Sequence, residues 1–323
     1  MSITDKVVFK ANGKLLLTGE YLVLNGATAL ALPLSFGQSL TAQPVQGDVL
    51  TWTSIDSNGV WFEGDFAIKS FDLLNSTNLT IGNKLANILK QASSLNPDHQ
   101  IVTGYKIETF LNFNRQWGFG SSSTLIAIVA WLFGVDKYKL FSRVSSGSGY
   151  DIACTEIDHP ILYTRVSPEE AIVKPVSFNP SFLTSLWFVY LGNKQSTDIE
   201  VDRYNKITKK DLSSSILSIT DITLKVMQVD DLITFAKLMD EHEHLMSEIL
   251  ERETIKKSRF AEFNGSIKSL GAWGGDFVLA CSERGESYIH SYFKEKGIST
   301  IYNFSTLVLR NQIINQHDTI IRF

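Results

Sequence analysis

Three glycine-rich stretches, spread over the length of the chain, constrain its fold and chemistry more than any other feature. They read Gly13-Lys14 through Gly19-Glu20-Tyr21, then Gly118-Phe-Gly120-Ser-Ser-Ser123, then Gly271-Ala-Trp-Gly-Gly-Asp276. Glycine allows left-handed backbone conformations and close approach to a ligand. The apolar run Leu125 to Phe133 after the middle stretch predicts a buried helix, closed by Gly134. Such a helix would present unpaired N–H groups and the positive end of its dipole to a phosphate.

Size and charge limit the classes of protein to which the chain can belong. Its 323 residues are 44% hydrophobic, enough for a substantial core in two domains or one large one. The formal net charge is −4 at pH 7, whereas a general surface for nucleic acid or for an anionic membrane requires a basic face. The two cysteines, Cys154 and Cys281, are too few for a disulfide framework and are expected to be reduced thiols. The composition is that of an ordinary soluble protein with no nucleic-acid partner.

The N-terminus and the apolar segments indicate where the protein is located. Residues 1–6, Met-Ser-Ile-Thr-Asp-Lys, include an acid and no long apolar core, unlike a secretory signal peptide. The longest uninterrupted apolar run, Leu125 to Phe133, is far shorter than the roughly 20 residues that cross a bilayer. We therefore expect a cytoplasmic protein with no membrane partner. A monomer and a homodimer are both compatible with the sequence.

The first half of the chain alternates strand and helix signals. Strand-like segments occupy much of residues 7–68, with a loop at 56–59, and apolar residues at helical spacing follow from Ile81 to Leu95. A further strand from Tyr105 to Phe113 leads into the middle glycine-rich stretch. Serine and glycine at 145–149 predict a loop, which presents Asp151.

Prolines mark the change to a more helical second half. Pro168, Pro175 and Pro180 indicate a boundary, so the sequence predicts an N-terminal domain at 1–170 and a C-terminal domain at 171–323. Periodic apolar positions predict helices over 213–227, 230–250 and 259–270, followed by strands near 277–280 and 306–309.

Phosphoryl transfer is the chemistry that these motifs can support together. It needs amide donors for the phosphates, a divalent ion, a cation near the transferred group and a residue that orients the nucleophile. The amides of Gly120 to Ser122 are candidates for holding the phosphates of ATP, and a hydroxyl of Ser121 or Ser122 for binding Mg²⁺. Lys14 is the candidate cation, and Asp151 is the candidate base that accepts a proton from an acceptor hydroxyl.

Each motif also has a simpler interpretation. Glycine and serine open many helices, and the middle stretch lacks the lysine that follows the second glycine of a P-loop, which disfavours a Walker-type hydrolase. Taken alone, Lys14 is compatible with an exposed strand and Asp151 with a helix cap. The histidines of Asp240-Glu-His-Glu-His244 are two residues apart, on different sides of a helix, and do not predict a metal site.

The three stretches resemble, in order and spacing, the three motifs of the GHMP kinases, the superfamily of galactokinase, homoserine kinase, mevalonate kinase and phosphomevalonate kinase. The resemblance covers nearly the whole chain. It is nearest to the mevalonate and phosphomevalonate kinases through Gly19-Glu20-Tyr21, Gly147-Ser148-Gly149-Tyr150-Asp151-Ile152-Ala153 and Leu191-Gly-Asn-Lys194-Gln-Ser196-Thr197. The final Gly274-Gly275-Asp276 is more similar to the phosphomevalonate kinases.

The resemblance implies an α+β fold and a set of site residues. An N-terminal ATP-binding domain of the ribosomal protein S5 type would join a ferredoxin-like C-terminal domain, with the active site between them. Lys14 and Asp151 would be the catalytic pair, and Ser122 the Mg²⁺ ligand. Other residues would bind ATP phosphates (Gly118, Gly120, Ser121, Ser122, Ser123), line the site from the second domain (Gly271, Gly274, Gly275) or contact the acceptor (Glu20, Ser148, Lys194, Ser196, Thr197).

Three positions depart from the pattern of the superfamily. Asn12 stands where proline commonly precedes Gly-Lys. Trp273 replaces a glycine of the third motif, where its ring is expected to narrow the space near the phosphates or to cover the acceptor. The acidic Mg²⁺ ligand of mevalonate kinases, about eleven residues before the catalytic aspartate, would fall at Leu140. Asp151 itself or Asp136 is then the candidate acid.

The sequence thus predicts an ATP- and Mg²⁺-dependent kinase that acts on a small anionic acceptor, mevalonate or phosphomevalonate, in isoprenoid precursor synthesis. A base such as Asp151 favours a hydroxyl acceptor, whereas the Gly-Gly-Asp sequence that ends at Asp276 favours a phosphate acceptor. Two alternatives share the implied fold, an enzyme of the diphosphomevalonate decarboxylase type and a non-catalytic ligand-binding regulator. The middle motif favours a kinase over the first, and intact Lys14, Ser122 and Asp151 argue against the second.

Overall fold

The computed structural model describes residues 7–98, 101, 103–192, 197–207, 211–271, 273, 276–311 and 317–323. Its strands are β1 (Val7–Thr18), β2 (Ala29–Val45), β3 (Val49–Asp56), β4 (Gly59–Ala67), β5 (Leu73–Ser76), β6 (Gly104–Leu111), β7 (Ile161–Ser167), β8 (Glu170–Pro175), β9 (Leu186–Tyr190), β10 (Ser266–Leu270), β11 (Phe277–Cys281), β12 (Ile301–Asn303) and β13 (Thr319–Arg322). Its helices are α1 (Leu79–Leu95), α2 (Ser121–Phe133), α3 (Lys137–Val144), α4 (Tyr150–Ala153), α5 (Thr197–Ile207), α6 (Ser213–Val226), α7 (Leu232–Leu250), α8 (Ile255–Arg259), α9 (Gly285–Glu295) and α10 (Phe304–Leu307).

A large mixed sheet forms the first layer. Its order is β13-β8-β7-β2-β6-β3-β4-β5, and β1 also pairs with β2. The pairs are antiparallel except that of β3 with β6. Strand β3 shows why these segments form a sheet, because its residues alternate between buried and half-buried positions and so give the sheet an apolar face.

Helices α1, α2 and α3 cover that apolar face. Helix α2 is buried along nearly all of its length, as its uniformly apolar sequence predicts. It packs in one core with side chains of the sheet such as Trp52 and Phe66. Consequently, the N-terminus of α2 is held rigidly next to β1.

A smaller antiparallel sheet, of order β10-β11-β9-β12, forms the second layer. All five residues of β10 and all five of β11 are buried. A shared core joins Leu15 and Leu30 of the large sheet to Phe235 and Met239 of α7 and to Phe277 of β11. Across the described ranges, no helix combines the length and the apolar character that a membrane span requires.

The predicted α+β class is confirmed, and two local predictions are wrong. The helix predicted over 259–270 is replaced by the end of α8 and by strand β10. The strand predicted near 306–309 begins in helix α10 and contributes a single bridge, between Val308 and Leu34. The domain boundary at 170 stays a prediction; both β8 and β13 pair within the large sheet.

Candidate active site

A cavity of about 680 Å³ lies where the three glycine-rich stretches meet. The predicted site residues that line it are Lys14, Glu20, Gly118, Gly120, Ser121, Ser122, Ser123, Ser148, Asp151 and Gly271. They come from β1 and the turn after it, the turn before α2 and the first turn of α2, the loop before α4 and α4 itself, and the segment after β10. The structure therefore brings together residues that are up to 257 positions apart in the chain.

Close backbone contact joins the first stretch to the second. The Lys14 amide donates a hydrogen bond to the carbonyl of Phe119 at 2.9 Å, beside a register shift in β1. A Cβ at Gly13 would lie 2.8 Å from the same carbonyl oxygen, so a larger residue cannot occupy this position without displacing the turn. The contact fixes the side chain of Lys14 next to the turn that precedes α2.

The turn before α2 depends on left-handed glycines. Gly118 has φ of 67° and Gly120, the residue before the helix, has φ of 92°. The Ser123 hydroxyl donates to the Gly120 carbonyl at 2.9 Å and stabilises the turn. Ser122 is exposed to the cavity. The first amides of α2 thus open onto the cavity, as the sequence predicts for a phosphate site.

Lys14 is held at one wall of the cavity as a cation. Its Nζ donates to the Gly118 carbonyl at 3.2 Å and lies 5.3 Å from the centre of the Tyr150 ring. Burial alone would lower the pKa of Lys14, but Tyr150 and the carboxyl groups of Asp151 and Asp276 outweigh it and raise that pKa above its ordinary value. Because burial also raises the pKa of the Tyr150 phenol, Tyr150 is neutral near pH 7 and the two carboxylates supply the negative charge.

Asp151 lies in the first turn of α4, after Gly149. One carboxylate oxygen, Oδ1, accepts a hydrogen bond from the Ile152 amide at 3.0 Å. Burial raises the pKa of Asp151, and the charge of Lys14 opposes this effect. The two predicted catalytic residues are therefore electrostatic partners in one cavity.

The loop that carries Asp151 is supported from behind by the end of the described chain. A Cβ at Gly149 would come within 2.4 Å of the Phe323 ring and 2.9 Å of the Tyr163 hydroxyl. That hydroxyl donates a hydrogen bond to the Ser148 carbonyl. Packing from β7 and from the residue after β13 thus determines the position of this loop.

Behind the cavity lies a cluster of buried charged and ionisable side chains, Glu20, His242, Glu243 and Lys268, which we call the buried charge network. Lys268 donates from Nζ to Glu20 Oε1 and to the Ser269 carbonyl. His242 Nε2 accepts a hydrogen bond from the Gly19 amide at 2.9 Å, and lies 3.2 Å from Glu20 Oε2. The network thus ties the first motif to α7 and β10.

A proton on Glu20 would make its close contact with His242 less unfavourable. The Nε2 lone pair is already used by the Gly19 amide, so an ionised Oε2 beside it would bring two acceptors together. Burial raises the pKa of Glu20 to about 7, although Lys268 opposes the shift. Burial, together with the charge of Lys268, lowers the pKa of His242 well below its ordinary value and keeps its ring neutral.

Glu243 anchors Trp273, and one expectation about this tryptophan is wrong. The Glu243 carboxylate accepts hydrogen bonds from the Ser269 amide at 3.0 Å, from the Ser269 hydroxyl at 2.9 Å and from Trp273 Nε1 at 3.2 Å. The Trp273 ring is 2% exposed and belongs to the core, so it does not narrow the cavity. No local sequence signal indicates this burial, because the hydrogen-bond partner Glu243 lies on α7.

Asp276 reaches the site from the third stretch. Its side chain is 9% exposed and borders the cavity. A Cβ at Gly118 would lie 2.2 Å from Asp276 Oδ2, so the carboxylate occupies the space that a side chain at position 118 would fill. Sequence reasoning used Asp276 only to compare families, and it missed Tyr150 and Asp202, which also line the cavity.

Several predicted positions are not placed at the site. Lys194, Ser196, Gly274 and Gly275 lie outside the described residues. Thr197 is the first residue of α5, a helix that lines the cavity through Val201 and Asp202. Glu20 borders the cavity, but its side chain is 1% exposed and bound by Lys268, so contact with an acceptor stays a prediction.

The oxygen donors around the cavity fit Mg²⁺. This ion prefers oxygen and is usually held by one or two carboxylates with substrate phosphates and water. Ser121 and Ser122 supply hydroxyls, and Asp151 and Asp276 supply carboxylates. In the part of the chain that the structure describes, no group of three or more His, Cys, Asp or Glu residues is placed to hold a metal ion.

The candidate acid Asp136 does not reach this donor set. Its carboxylate accepts hydrogen bonds from the amides of Tyr138 and Lys139, both at 2.9 Å, and so caps α3. Asp136 also does not line the cavity in the part of the chain that the structure describes. Its role is to begin a helix.

The fold is similar to that of solved kinases. No family model matches the sequence, and no curated protein matches it. Mevalonate kinase from Methanococcus jannaschii aligns over 96% of this chain and 100% of its own, with a TM-score of 0.67 and 16% identity. A Streptococcus pneumoniae phosphomevalonate kinase in complex with phosphomevalonate and AMPPNP aligns over 92% and 99%, with a TM-score of 0.67 and 15% identity.

A third structure extends the likeness to another acceptor. Lactococcus lactis galactokinase in complex with galactose aligns over 98% of this chain and 95% of its own, with a TM-score of 0.67 and 11% identity. These structures belong to GHMP kinases. The chain has the GHMP kinase fold, and the fold implied by the sequence resemblance is confirmed.

Proposed function

We propose that the chain is a kinase that transfers the γ-phosphoryl group of ATP to a small-molecule acceptor. The observation that carries the proposal is the meeting of Lys14 and Asp151 at the open N-terminus of α2 in one cavity. Similarity of fold to kinases, one of them in complex with AMPPNP, supports the same activity. The arrangement supplies each role that phosphoryl transfer requires.

The turn before α2 and Lys14 would bind the phosphates of ATP. Amides at Ser121 and Ser122, with the helix dipole, favour negative charge at this end of α2. Lys14 would neutralise charge on the transferred group from its position beside Gly118. Mg²⁺, held by the Ser122 hydroxyl and a carboxylate, would neutralise the β- and γ-phosphates.

Asp151 would act as the base for a hydroxyl acceptor. The acceptor oxygen attacks the γ-phosphorus, the bond to the bridging oxygen breaks, and ADP leaves. The hydroxyl proton passes to Asp151 Oδ2, because Oδ1 already accepts the Ile152 amide. A pKa raised by burial makes this carboxylate a stronger base than an exposed aspartate.

Mevalonate and phosphomevalonate are the proposed acceptors, and the cavity favours mevalonate. Lys14 is the one lysine or arginine among the lining residues that the structure describes, whereas Glu20, Asp151, Asp202 and Asp276 contribute acids. A phosphate monoester is already ionised near neutral pH and needs cations around it, while a hydroxyl needs a base. A role in isoprenoid precursor synthesis and a cytoplasmic location belong to the same proposal.

The test is ADP release with ATP and Mg²⁺ in the presence of single acceptors. The panel contains mevalonate, phosphomevalonate, diphosphomevalonate, homoserine and galactose, with the Asp151→Asn variant measured alongside. We expect turnover with mevalonate that the variant loses. Turnover with galactose alone would overturn the proposed acceptor but not the kinase activity. Failure of the wild-type protein to bind ATP would overturn the kinase and favour a regulator.

A further inference from the structure

An acid that held Mg²⁺ in this chain would have to come from a position other than the one that the resemblance to mevalonate kinases implies. Leu140, where that acid would fall, is fully buried in the core between the large sheet and α1–α3. The other candidate outside the motifs, Asp136, caps α3. Among the described residues, the carboxylates that line the cavity are therefore the candidates for an acidic ligand.

Asp276 is placed at the phosphate end of the cavity by two independent features. Its carboxylate fills the space beside Gly118, at the turn that leads into α2. It also belongs to the charges that raise the pKa of Lys14, which places it within electrostatic reach of the Lys14 ammonium group. Ser121 and Ser122, the hydroxyl donors, lie just after the same turn.

We propose that Asp276 is the acidic ligand of Mg²⁺ in this chain, and that it holds the ion together with the hydroxyl of Ser121 or Ser122 in the first turn of α2. The inference rests on the proposed kinase function. In this arrangement the acid comes from the third glycine-rich stretch, beside Gly118. Asp151 is then free to accept the proton of the acceptor, because one carboxylate does not have to serve both as ligand and as base.

The competing role for Asp276 is structural. A carboxylate packed against Gly118 could fix the turn and the Lys14 ammonium group without touching a metal. The two roles separate experimentally, because an amide of the same shape retains the packing and most hydrogen bonds but is a much weaker Mg²⁺ ligand.

The first experiment measures metal binding without turnover. Free Mn²⁺ is titrated by electron paramagnetic resonance against protein saturated with AMPPNP, for the wild type, Asp276→Asn and Asp202→Asn. Asp202 is a matched control, since it is an exposed acid that lines the same cavity from α5. We expect Asp276→Asn to weaken Mn²⁺ binding at least tenfold while metal-free AMPPNP binds as in the wild type, and Asp202→Asn to change neither.

A second variant tests ligation directly and covers the case in which Asp276→Asn does not fold. Asp276→Cys offers a thiolate, a soft ligand that prefers Cd²⁺ to Mg²⁺ far more strongly than the wild-type carboxylate does. We expect the ratio of Cd²⁺ to Mg²⁺ affinity in the nucleotide complex to rise at least tenfold. A structural role for Asp276 predicts no change in this ratio.

The outcomes test the metal-binding role of Asp276 separately from the proposed kinase function. Wild-type protein that binds neither AMPPNP nor its Mn²⁺ complex would overturn the kinase itself. If the wild-type protein binds the complex and Asp276→Asn binds Mn²⁺ equally well, the role of Asp276 alone is overturned. An unchanged metal preference in Asp276→Cys would have the same meaning. If Asp276→Asn weakens the binding of metal-free AMPPNP as much as it weakens the binding of Mn²⁺, the role of Asp276 is to stabilise the turn.

Discussion

The charged residues of the cavity and those of the buried charge network differ in what surrounds them. Lys14 and Asp151 are half-buried and line the cavity, whereas the four members of the buried charge network are 2% exposed or less. In the first group a bound ligand can neutralise a charge, whereas in the second only another side chain can do so. The comparison teaches that similar residue types can be open to a ligand in one place and hold neighbouring elements in position in the other.

The largest effect is expected from Asp151→Asn. Removing the base should lower kcat by about 10²–10⁴-fold, because general base catalysis typically contributes that much. ATP affinity should change little, since the amide keeps the shape of the carboxylate. Steady-state kinetics and calorimetric ATP titration would check this. Unchanged turnover would remove Asp151 from the chemistry and with it the distinction between the two groups.

In the buried charge network, Lys268→Met should lower the free energy of unfolding. At pH 8 the buried Glu20 then has to remain charged without its cation or take up a proton, and breaking a buried pair typically costs about 3–5 kcal/mol of the free energy of unfolding. Urea unfolding would measure the loss. Lys257→Met, at an exposed lysine, is the control. The double variant Lys268→Met with Glu20→Gln should recover part of the loss, and a double variant no more stable than the single would contradict a charge effect.

The pH dependence of stability should isolate Glu20. Its pKa in the folded protein is raised from 4.5 to about 7, so the folded state holds a proton that the unfolded state releases. The contribution of this proton to the free energy of unfolding is fully present below pH 4.5 and is lost as the pH rises to about 7. Between pH 5 and pH 8 the wild type should lose about 2–3 kcal/mol relative to Glu20→Gln, measured by urea unfolding. If the wild type and Glu20→Gln lose the same free energy of unfolding between pH 5 and pH 8, Glu20 is not the group that binds the additional proton in the folded state.

The smallest effect is expected at Ser122, on the cavity side. Ser122→Ala should raise the Mg²⁺ concentration needed for half-maximal activity by up to about tenfold, because one neutral oxygen ligand is lost. Ser146→Ala removes another exposed hydroxyl that lines the cavity and serves as the comparison. A Mg²⁺ requirement that stays the same in Ser122→Ala would assign the metal to other donors.

The cavity was predictable from sequence, and the buried charge network was not. Glycines with forced conformations and a uniformly apolar helix are local signals, and they correctly indicated the turn before α2. Strand β10 was mistaken for part of a helix because a short strand buried on both faces shows no alternation. Lys268 in its centre resembles a surface residue until Glu20, 248 positions away, is brought beside it.

The pairing of β13 with β8 links the site to a distant part of the chain. Strand β13 lies at one edge of the large sheet, and the Phe323 ring packs against Gly149, behind the loop that leads to Asp151. The position of Asp151 therefore depends on a side chain that lies 172 positions later in the sequence.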